Sequence, residues 1–110
     1  MMIGYGDFSK LELRVGTIKS CENIEGKDKL YLLKIDVNED KDRTLLAGLK
    51  PYYAKEQLEG KQVVVLVNLE PKKMAGVLSE GMILAAVSED YKTVRLLTPD
   101  DKIDAGTRVM

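Results

Sequence analysis

Alternation of apolar and polar side chains with a period of two is the sequence feature that most constrains the fold of this chain. Residues 11–15 alternate leucine or valine with a charged residue, and residues 30–37 carry an apolar side chain at every odd position. In an extended strand successive side chains point to opposite faces, so this pattern predicts two strands that are each buried on one face. Gly16 interrupts the first strand before the extended pattern resumes, which predicts a bulge or sharp bend.

The remaining elements are predicted from β-branched runs and turn residues. Residues 62–69 contain four valines, and so β-branched a run is typical of a central strand. Pro51 suits the first turn of a helix over residues 52–58, and Gly60 suits its end. Turns are expected at residues 26–29 and 38–42, and shorter strands at residues 43–47, 82–87 and 92–97.

The predicted order is three strands, a helix, and two or three further strands. This order matches an all-β OB fold, a five-stranded Greek-key barrel with one short helix between its third and fourth strands. An SH3-like barrel or a split α+β sandwich gives a similar string, so the order alone leaves those folds open. The length of 110 residues fits a single domain over residues 1–110. No apolar stretch approaches the roughly 18 residues of a membrane span.

The chain contains no histidine and one cysteine, which bears directly on catalysis. The commonest general base is missing, and so is every Ser-His or Cys-His nucleophile pair. Carboxylates without histidine or further cysteines are poor ligands for transition metals, so no metal site is expected. Catalysis by paired carboxylates or a lysine stays open, but no acidic pair falls in an apolar setting. We therefore expect a protein that is not an enzyme.

Charge and compartment give two further expectations. The net charge is −1, from 17 basic and 18 acidic residues, whereas nucleic-acid binders are usually more basic. Any RNA affinity must then come from a local basic patch. The lone Cys21 cannot form an internal disulfide, and the N-terminal residues show no secretory signal. These features predict a cytoplasmic protein.

Three stretches resemble a known family. They cover residues 7–16, 28–36 and 68–86, which read DFSKLELRVG, DKLYLLKID and NLEPKKMAGVLSEGMILAA. Together they resemble the tRNA-binding domain found at the C-terminus of many methionyl-tRNA synthetases and in small free-standing proteins. The likeness covers residues 7–109, and the third stretch is the most specific because so long an ordered match is improbable by chance.

The resemblance implies an OB fold that binds tRNA with little sequence preference, at the outer corner of its L shape, and needs no cofactor. It also implies a homodimer whose contacts involve the N-terminal segment and the C-terminal strands, and methionyl-tRNA synthetase as a partner or parent chain. This sequence departs from the pattern at residues 24–25, where many members have His-Pro. It also has Ala75 where a basic residue is frequent and Ala47 where serine is common. These departures predict a lower RNA affinity than in basic relatives.

The candidate RNA-binding residues are basic, polar or groove-lining side chains in or near the third stretch. They are Asn68, Lys72, Lys73, Ser79, Met82, Lys29 and Arg43. Lys72 and Lys73 follow Pro71 in a predicted loop beside the binding face of an OB fold, where ammonium groups neutralise phosphates. Asn68 can bond a base edge or a 2′-OH. Each also has a structural alternative: a solvated lysine pair, an asparagine that caps its own turn, and a methionine in the core.

The aromatic residues predict a poor stacking surface. Phe8 and Tyr31 are expected to be packing residues, and one of Tyr52 and Tyr53 is expected in the core. This favours recognition of folded RNA by shape and backbone over single-strand binding. The alternative function is a peptide-binding, secretion-type chaperone dimer of the same fold, which the near-neutral charge and Ala75 favour. An enzyme built on an OB scaffold is a third and weaker alternative.

Overall fold

A computed structural model describes all 110 residues as a mainly β chain. The elements follow in the order α1 (Tyr5–Phe8), β1 (Leu13–Ile24), β2 (Lys27–Asp36), β3 (Arg43–Ala47), α2 (Lys55–Leu58), β4 (Gln62–Leu66), β5 (Lys72–Met74), β6 (Val77–Ser79), β7 (Met82–Ile83), β8 (Ala85–Val87), β9 (Val94–Leu96) and β10 (Arg108–Val109). The predicted all-β class is confirmed. Neither helix has the length and apolar character that a membrane span requires.

The main sheet is antiparallel and has the order β3–β2–β1–β4–β7, with β10 added to the start of β1. The long strand β1 pairs with two neighbouring strands along its length. Its first part, from Leu13 to Thr17, pairs with β4, and the part from Thr17 to Ile24 pairs with β2. A strand shared in this way bends the sheet round on itself, which nearly closes it into a five-stranded barrel. This is the architecture that the OB interpretation predicted.

The bulge predicted at Gly16 is wrong in position. The pairing of β1 with β4 is regular through Gly16, and the shift in register falls between Ile18 and Ser20 in the pairing with β2. Gly16 is instead a site of close packing. A Cβ atom there would lie 2.5 Å from Ile35 Cγ2 and 3.1 Å from Val65 Cγ2. The glycine is therefore required by the crowded barrel interior, where two strands approach closely.

The core confirms the period-two alternation. All four odd-numbered side chains from residue 31 to residue 37 are buried. The largest fully buried side chains are Ile18, Leu33, Ile35, Leu45, Leu58, Val63 and Val65. Leu58 is the only buried side chain of α2, so this helix caps the barrel through a single anchor. Cys21 is also in the core, and burial raises the pKa of its thiol to about 11.

Several element boundaries differ from the prediction. The helix expected over residues 52–58 starts at Lys55, because the N–H groups of Tyr52 and Tyr53 both donate to Leu49 O in a tight turn. Pro51 lies in that turn. The first hairpin turns at residues 25–26, so β2 begins at Lys27 within the expected turn at 26–29. The strand predicted over 82–87 is divided into β7 and β8 at Leu84, where the chain changes partner: Leu84 N still donates to Val64 O on β4, but Leu84 O accepts from Leu97 N, next to β9.

Candidate nucleic-acid interface

The segment that carries Lys72 and Lys73 was predicted as a loop, and it is a β-hairpin. Strands β5 and β6 pair in the register Lys72 with Ser79 and Lys73 with Leu78. The two turn residues, Ala75 and Gly76, have φ values of 50° and 77°. Two positive φ angles in a two-residue connection define a type I′ turn, whose twist matches that of the flanking strands. Alanine is an unusual first residue for this turn, so the turn was difficult to predict from residue type.

Both hairpin lysines are exposed, and neither forms an ion pair. Because successive strand residues point to opposite faces, Lys72 and Lys73 lie on different faces of the hairpin. Lys72 lines an apolar groove together with Met74, two residues further along the same strand, whereas Lys73 does not line it. The hairpin therefore presents one lysine at the groove and one on its other face. Each is available to an anion.

The far end of the hairpin is fastened to the barrel by hydrogen bonds to β3. Leu46 N donates to Ser79 Oγ at 3.1 Å, and Glu80 N donates to Thr44 O at 2.8 Å. Thr44 N donates in return to the Glu80 carboxylate at 2.9 Å. Ser79 is only 5% exposed, so it lines the groove from beneath with its hydroxyl already bonded to the barrel. These bonds fix the position of the lysine-bearing hairpin relative to the barrel.

Arg43 joins both ends of the segment that contains the hairpin. Its Nη1 donates to Val67 O, before the segment, and to Glu80 O, after it. Its Nε and Nη2 form a two-pronged pair with the Glu39 carboxylate, at 2.7 and 2.9 Å. This hydrogen bonding lowers the pKa of Glu39 and raises the pKa of Arg43. Four of the five guanidinium N–H groups are thus occupied by protein acceptors.

Asn68 holds the N-terminal segment against the end of β4. Its Oδ1 accepts from Glu12 N at 2.8 Å, and its Nδ2 donates to Lys10 O at 2.7 Å. Val67 N adds a bond to Glu12 O at 2.9 Å. Both ends of the amide are therefore committed within the protein. This is a structural role across 56 and 58 positions of sequence, and it differs from the local turn cap that the sequence suggested.

Of the two remaining predicted residues, Met82 borders the same groove and Lys29 lies near one end of it, beside Gly48. Met82 lines it and is 51% exposed, so its side chain is outside the core. Lys29 is exposed on β2, and its carbonyl oxygen accepts from Lys50 N. That contact places Lys29 beside the end of β3, where Gly48 forms part of the groove wall. Contact of any of the seven candidate residues with RNA stays a prediction.

The groove itself was not predicted as a cavity. It has a volume of about 470 Å³ and is lined by 18 residues, 13 of them hydrophobic, from the end of β3, the hairpin and the strands that follow. Two tyrosines, Tyr52 and Tyr91, contribute to its wall. Tyr91 was absent from the sequence interpretation of the site because a lone aromatic after a polar turn gives no periodic signal. The groove combines an apolar surface, exposed aromatic area and a lysine.

A second recess, between the 38–42 loop and residues 67–71, is polar and carries more acid than base. Its charged residues are Glu39, Asp40, Asp42, Glu70 and Glu80 on the acidic side and Lys34, Lys41 and Arg43 on the basic side. An acidic excess disfavours phosphate there. No group of three or more His, Cys, Asp or Glu side chains is arranged to hold a metal ion. An anionic polymer is better matched to the groove side of the hairpin.

These features define a class. The chain is an OB-like barrel with an exposed, firmly attached hairpin after its fourth strand, and such a loop flanks the ligand-binding face of OB folds. The chain belongs to the tRNA-binding domain family, as the resemblance predicted. The family model described as "Putative tRNA binding domain" matches residues 13–108, nearly the whole chain.

Individual relatives agree with this assignment. A methionine–tRNA ligase of Nanoarchaeum equitans is 47% identical over 108 residues, which are 98% of this chain and 14% of the ligase. The chain thus spans about one seventh of the length of the curated relatives it matches. A MetRS-related protein from Pyrococcus horikoshii has a similar structure, with a TM-score of 0.92, 35% identity, and coverage of 100% of this chain and 99% of that one. The chaperone CsaA from Bacillus anthracis str. Ames has a TM-score of 0.89 and 34% identity, with both chains fully covered.

Proposed function

We propose that this chain binds tRNA through the β5–β6 hairpin and the adjoining groove, by shape and backbone, with little sequence preference and at the outer corner of the tRNA. The observation that carries the proposal is the pair of exposed lysines without ion-pair partners, Lys72 and Lys73, on a hairpin that is fastened to the barrel of a tRNA-binding domain. Lys29, near Gly48 at one end of the groove, adds a third exposed basic side chain. The chain acts by binding, without catalysis or a cofactor.

The affinity comes from a local patch, since the net charge of −1 provides no general attraction for RNA. Ammonium groups that neutralise phosphates release counterions, so binding weakens as salt rises. If Lys29, Lys72 and Lys73 each meet one phosphate, log K against log salt has a slope of about −2 to −3. Arg43 and Asn68 contribute by holding the hairpin and its surroundings, because their polar groups already bond the protein.

The chain acts either as a free-standing protein or as the C-terminal or β-type appendix of a methionyl-tRNA synthetase, in the cytoplasm. The ligase relatives support the second form, and the similarly sized MetRS-related structure supports the first.

A homodimer is part of the proposal. Leu11 and Met110 are exposed apolar residues next to the Leu13–Val109 pair, in the N- and C-terminal parts that the family is expected to use. Light scattering at micromolar concentration should give the dimer mass, and a monomer mass contradicts it.

Peptide binding, as a chaperone dimer, is the second candidate function. The apolar lining of the groove and the structural similarity to CsaA favour it. The net charge is compatible with either ligand.

Parallel titrations separate the two functions. The chain is titrated with unfractionated tRNA and with a chemically unfolded polypeptide, each at 50 and 200 mM salt. We expect tRNA binding that weakens by roughly 15- to 65-fold over this range, which is the slope given above applied to a fourfold change in salt. Binding of the polypeptide with no detectable tRNA binding at 50 mM salt overturns the proposal in favour of the chaperone function.

A further inference from the structure

Tyr91 is the side chain in the groove that the proposed backbone contacts do not use. It is 73% exposed and lines the groove. Its φ is 59°, in the left-handed region, which is unfavourable for a bulky residue and occurs mainly where the surroundings enforce it. Strain of this kind concentrates at ligand sites. An exposed aromatic side chain on a strained backbone beside an apolar groove therefore indicates a ligand-binding site.

The backbone around Tyr91 is fixed on several sides. Tyr91 N donates to Ser88 O at 2.9 Å, and Tyr52 Oη donates to Tyr91 O at 2.7 Å. Asp90 accepts from Lys92 N and from the Ser88 hydroxyl, and these bonds lower the pKa of Asp90. No hydrogen bond engages the Tyr91 hydroxyl. The turn thus fixes the backbone that carries the ring and leaves the ring itself exposed, so the ring is available for stacking.

The rest of the groove supplies what a nucleotide needs beyond stacking. Val87 and Met82 are about half exposed and give apolar contact area. Lys72, which forms no ion pair, and Glu70 both contribute to the lining of the groove. A cation beside an aromatic, apolar surface matches a phosphate joined to a base. A carboxylate only accepts hydrogen bonds, so it can accept from a ring N–H or an exocyclic amino group of a base.

We propose that the groove binds one unstacked nucleobase of the RNA, with the Tyr91 ring against the face of the base and Lys72 on the adjoining phosphate. This inference rests on the proposed tRNA-binding function and adds a base-binding subsite to it. The subsite corrects the expectation of a poor stacking surface, because Tyr91 was not weighed as part of the site.

The test compares tRNA binding by the whole chain and by two variants, Tyr91→Ala and Tyr91→Phe, over a range of salt concentrations. Loss of a stacked base costs about 1–3 kcal/mol, so Tyr91→Ala should weaken binding by roughly 5- to 150-fold. The log–log salt slope should not change, because no phosphate contact is removed. Tyr91→Phe keeps the ring and removes only a free hydroxyl, so it should bind like the parent chain. Thermal unfolding checks that both variants fold, as expected for an exposed position.

Chemical modification of the unpaired bases of the tRNA, with reagents that together report on all four, gives an independent readout. At least one base should be protected by the parent chain and become reactive again with Tyr91→Ala at saturating protein. Equal affinity and equal protection for Tyr91→Ala overturn the base subsite while leaving tRNA binding in place. Absence of tRNA binding by the parent chain overturns the proposed function itself. Weaker polypeptide binding by Tyr91→Ala, with tRNA binding unaltered, assigns the groove to peptides and also overturns the subsite.

Discussion

Arg43 Nη1 donates a 2.7 Å hydrogen bond to the carbonyl oxygen of Val67, where the chain leaves the barrel to form the hairpin. The same nitrogen bonds Glu80 O at 3.0 Å, where the chain returns. One guanidinium therefore closes the base of the twelve-residue segment 68–79. The position of the lysine-bearing hairpin depends on this closure and on the bonds between β3 and residues 79–80. Arg43 is best understood as a positioning residue for RNA binding.

Arg43→Lys should weaken tRNA binding although it preserves the positive charge. A lysine cannot reproduce the forked pair with Glu39 while also reaching both carbonyl groups. Leaving such acceptors without a donor costs about 1–3 kcal/mol, which should appear as lower stability in denaturant unfolding. tRNA titration of Arg43→Lys alone and combined with Lys72→Gln tests the mechanism. If the two substitutions change the free energy of tRNA binding non-additively, Arg43 acts through the hairpin. Full binding by Arg43→Lys instead indicates a direct contact between this charge and phosphate.

Thermal stability should decrease at acidic pH, because protonation of Glu39 removes its ion pair with Arg43. The pair lowers the pKa of Glu39 below its ordinary value of 4.5. The folded chain then binds fewer protons than the unfolded chain, so the stabilisation is complete above the ordinary pKa and is lost as pH falls through the lowered one. Melting temperatures from pH 7 down to about pH 3 should decline less for Glu39→Gln than for the parent chain. Asp40→Asn, at a neighbouring exposed carboxyl without an ion pair, is the control and should decline like the parent chain.

Asn68→Ala should destabilise the fold by about 1–2 kcal/mol, because Glu12 N and Lys10 O both lose their partner. Urea unfolding gives the free energy of unfolding. Asn68→Asp retains an oxygen for Glu12 N and loses the donor to Lys10 O, so an intermediate value is expected. The salt slope of tRNA binding should not change. Unaltered stability together with weaker tRNA binding would instead identify Asn68 as a direct RNA contact.

Ala75→Asn should stabilise the hairpin by about 0.5–1 kcal/mol, since asparagine tolerates the positive φ of the first turn residue better than alanine. Slower hydrogen exchange of amides in β5 and β6 is the expected observation. Ala75→Val is the opposite control, because a β-branched residue is strongly disfavoured at this φ. If valine is tolerated as well as asparagine, the turn does not have the type I′ conformation in solution.

Local periodicity predicted much of the fold because burial in a strand repeats every second residue. Leu33 and Ile35 could be assigned to the core from their spacing alone. The order of strands and helix, together with the family resemblance, then led to the barrel. Boundaries were less accurate where a distant partner decides them, as with the turn that Leu49 O imposes before α2.

The site was harder to predict because its polar groups are satisfied over long distances in sequence. The partners of Asn68 lie 56 and 58 positions away, and Arg43 reaches a carbonyl 37 positions away. No spacing rule predicts such pairings. Both residues were therefore predicted as RNA-binding candidates, with only a local turn cap as the structural alternative for Asn68. Tyr91 was missed for the opposite reason. Its importance comes from the groove that folding places beside it, which includes β3 and the hairpin.

The central claim is that the two hairpin lysines neutralise phosphates of a bound tRNA. The most direct measurement is the salt dependence of tRNA affinity for the parent chain and for Lys72→Gln/Lys73→Gln. The double variant should lower the magnitude of the log–log slope by about 1.4–1.8, the value for two phosphates. Lys61→Gln/Lys102→Gln removes the same charge beside the start of β4, away from the hairpin, and should leave the slope unchanged. An identical slope for the parent chain and the hairpin variant would contradict the account.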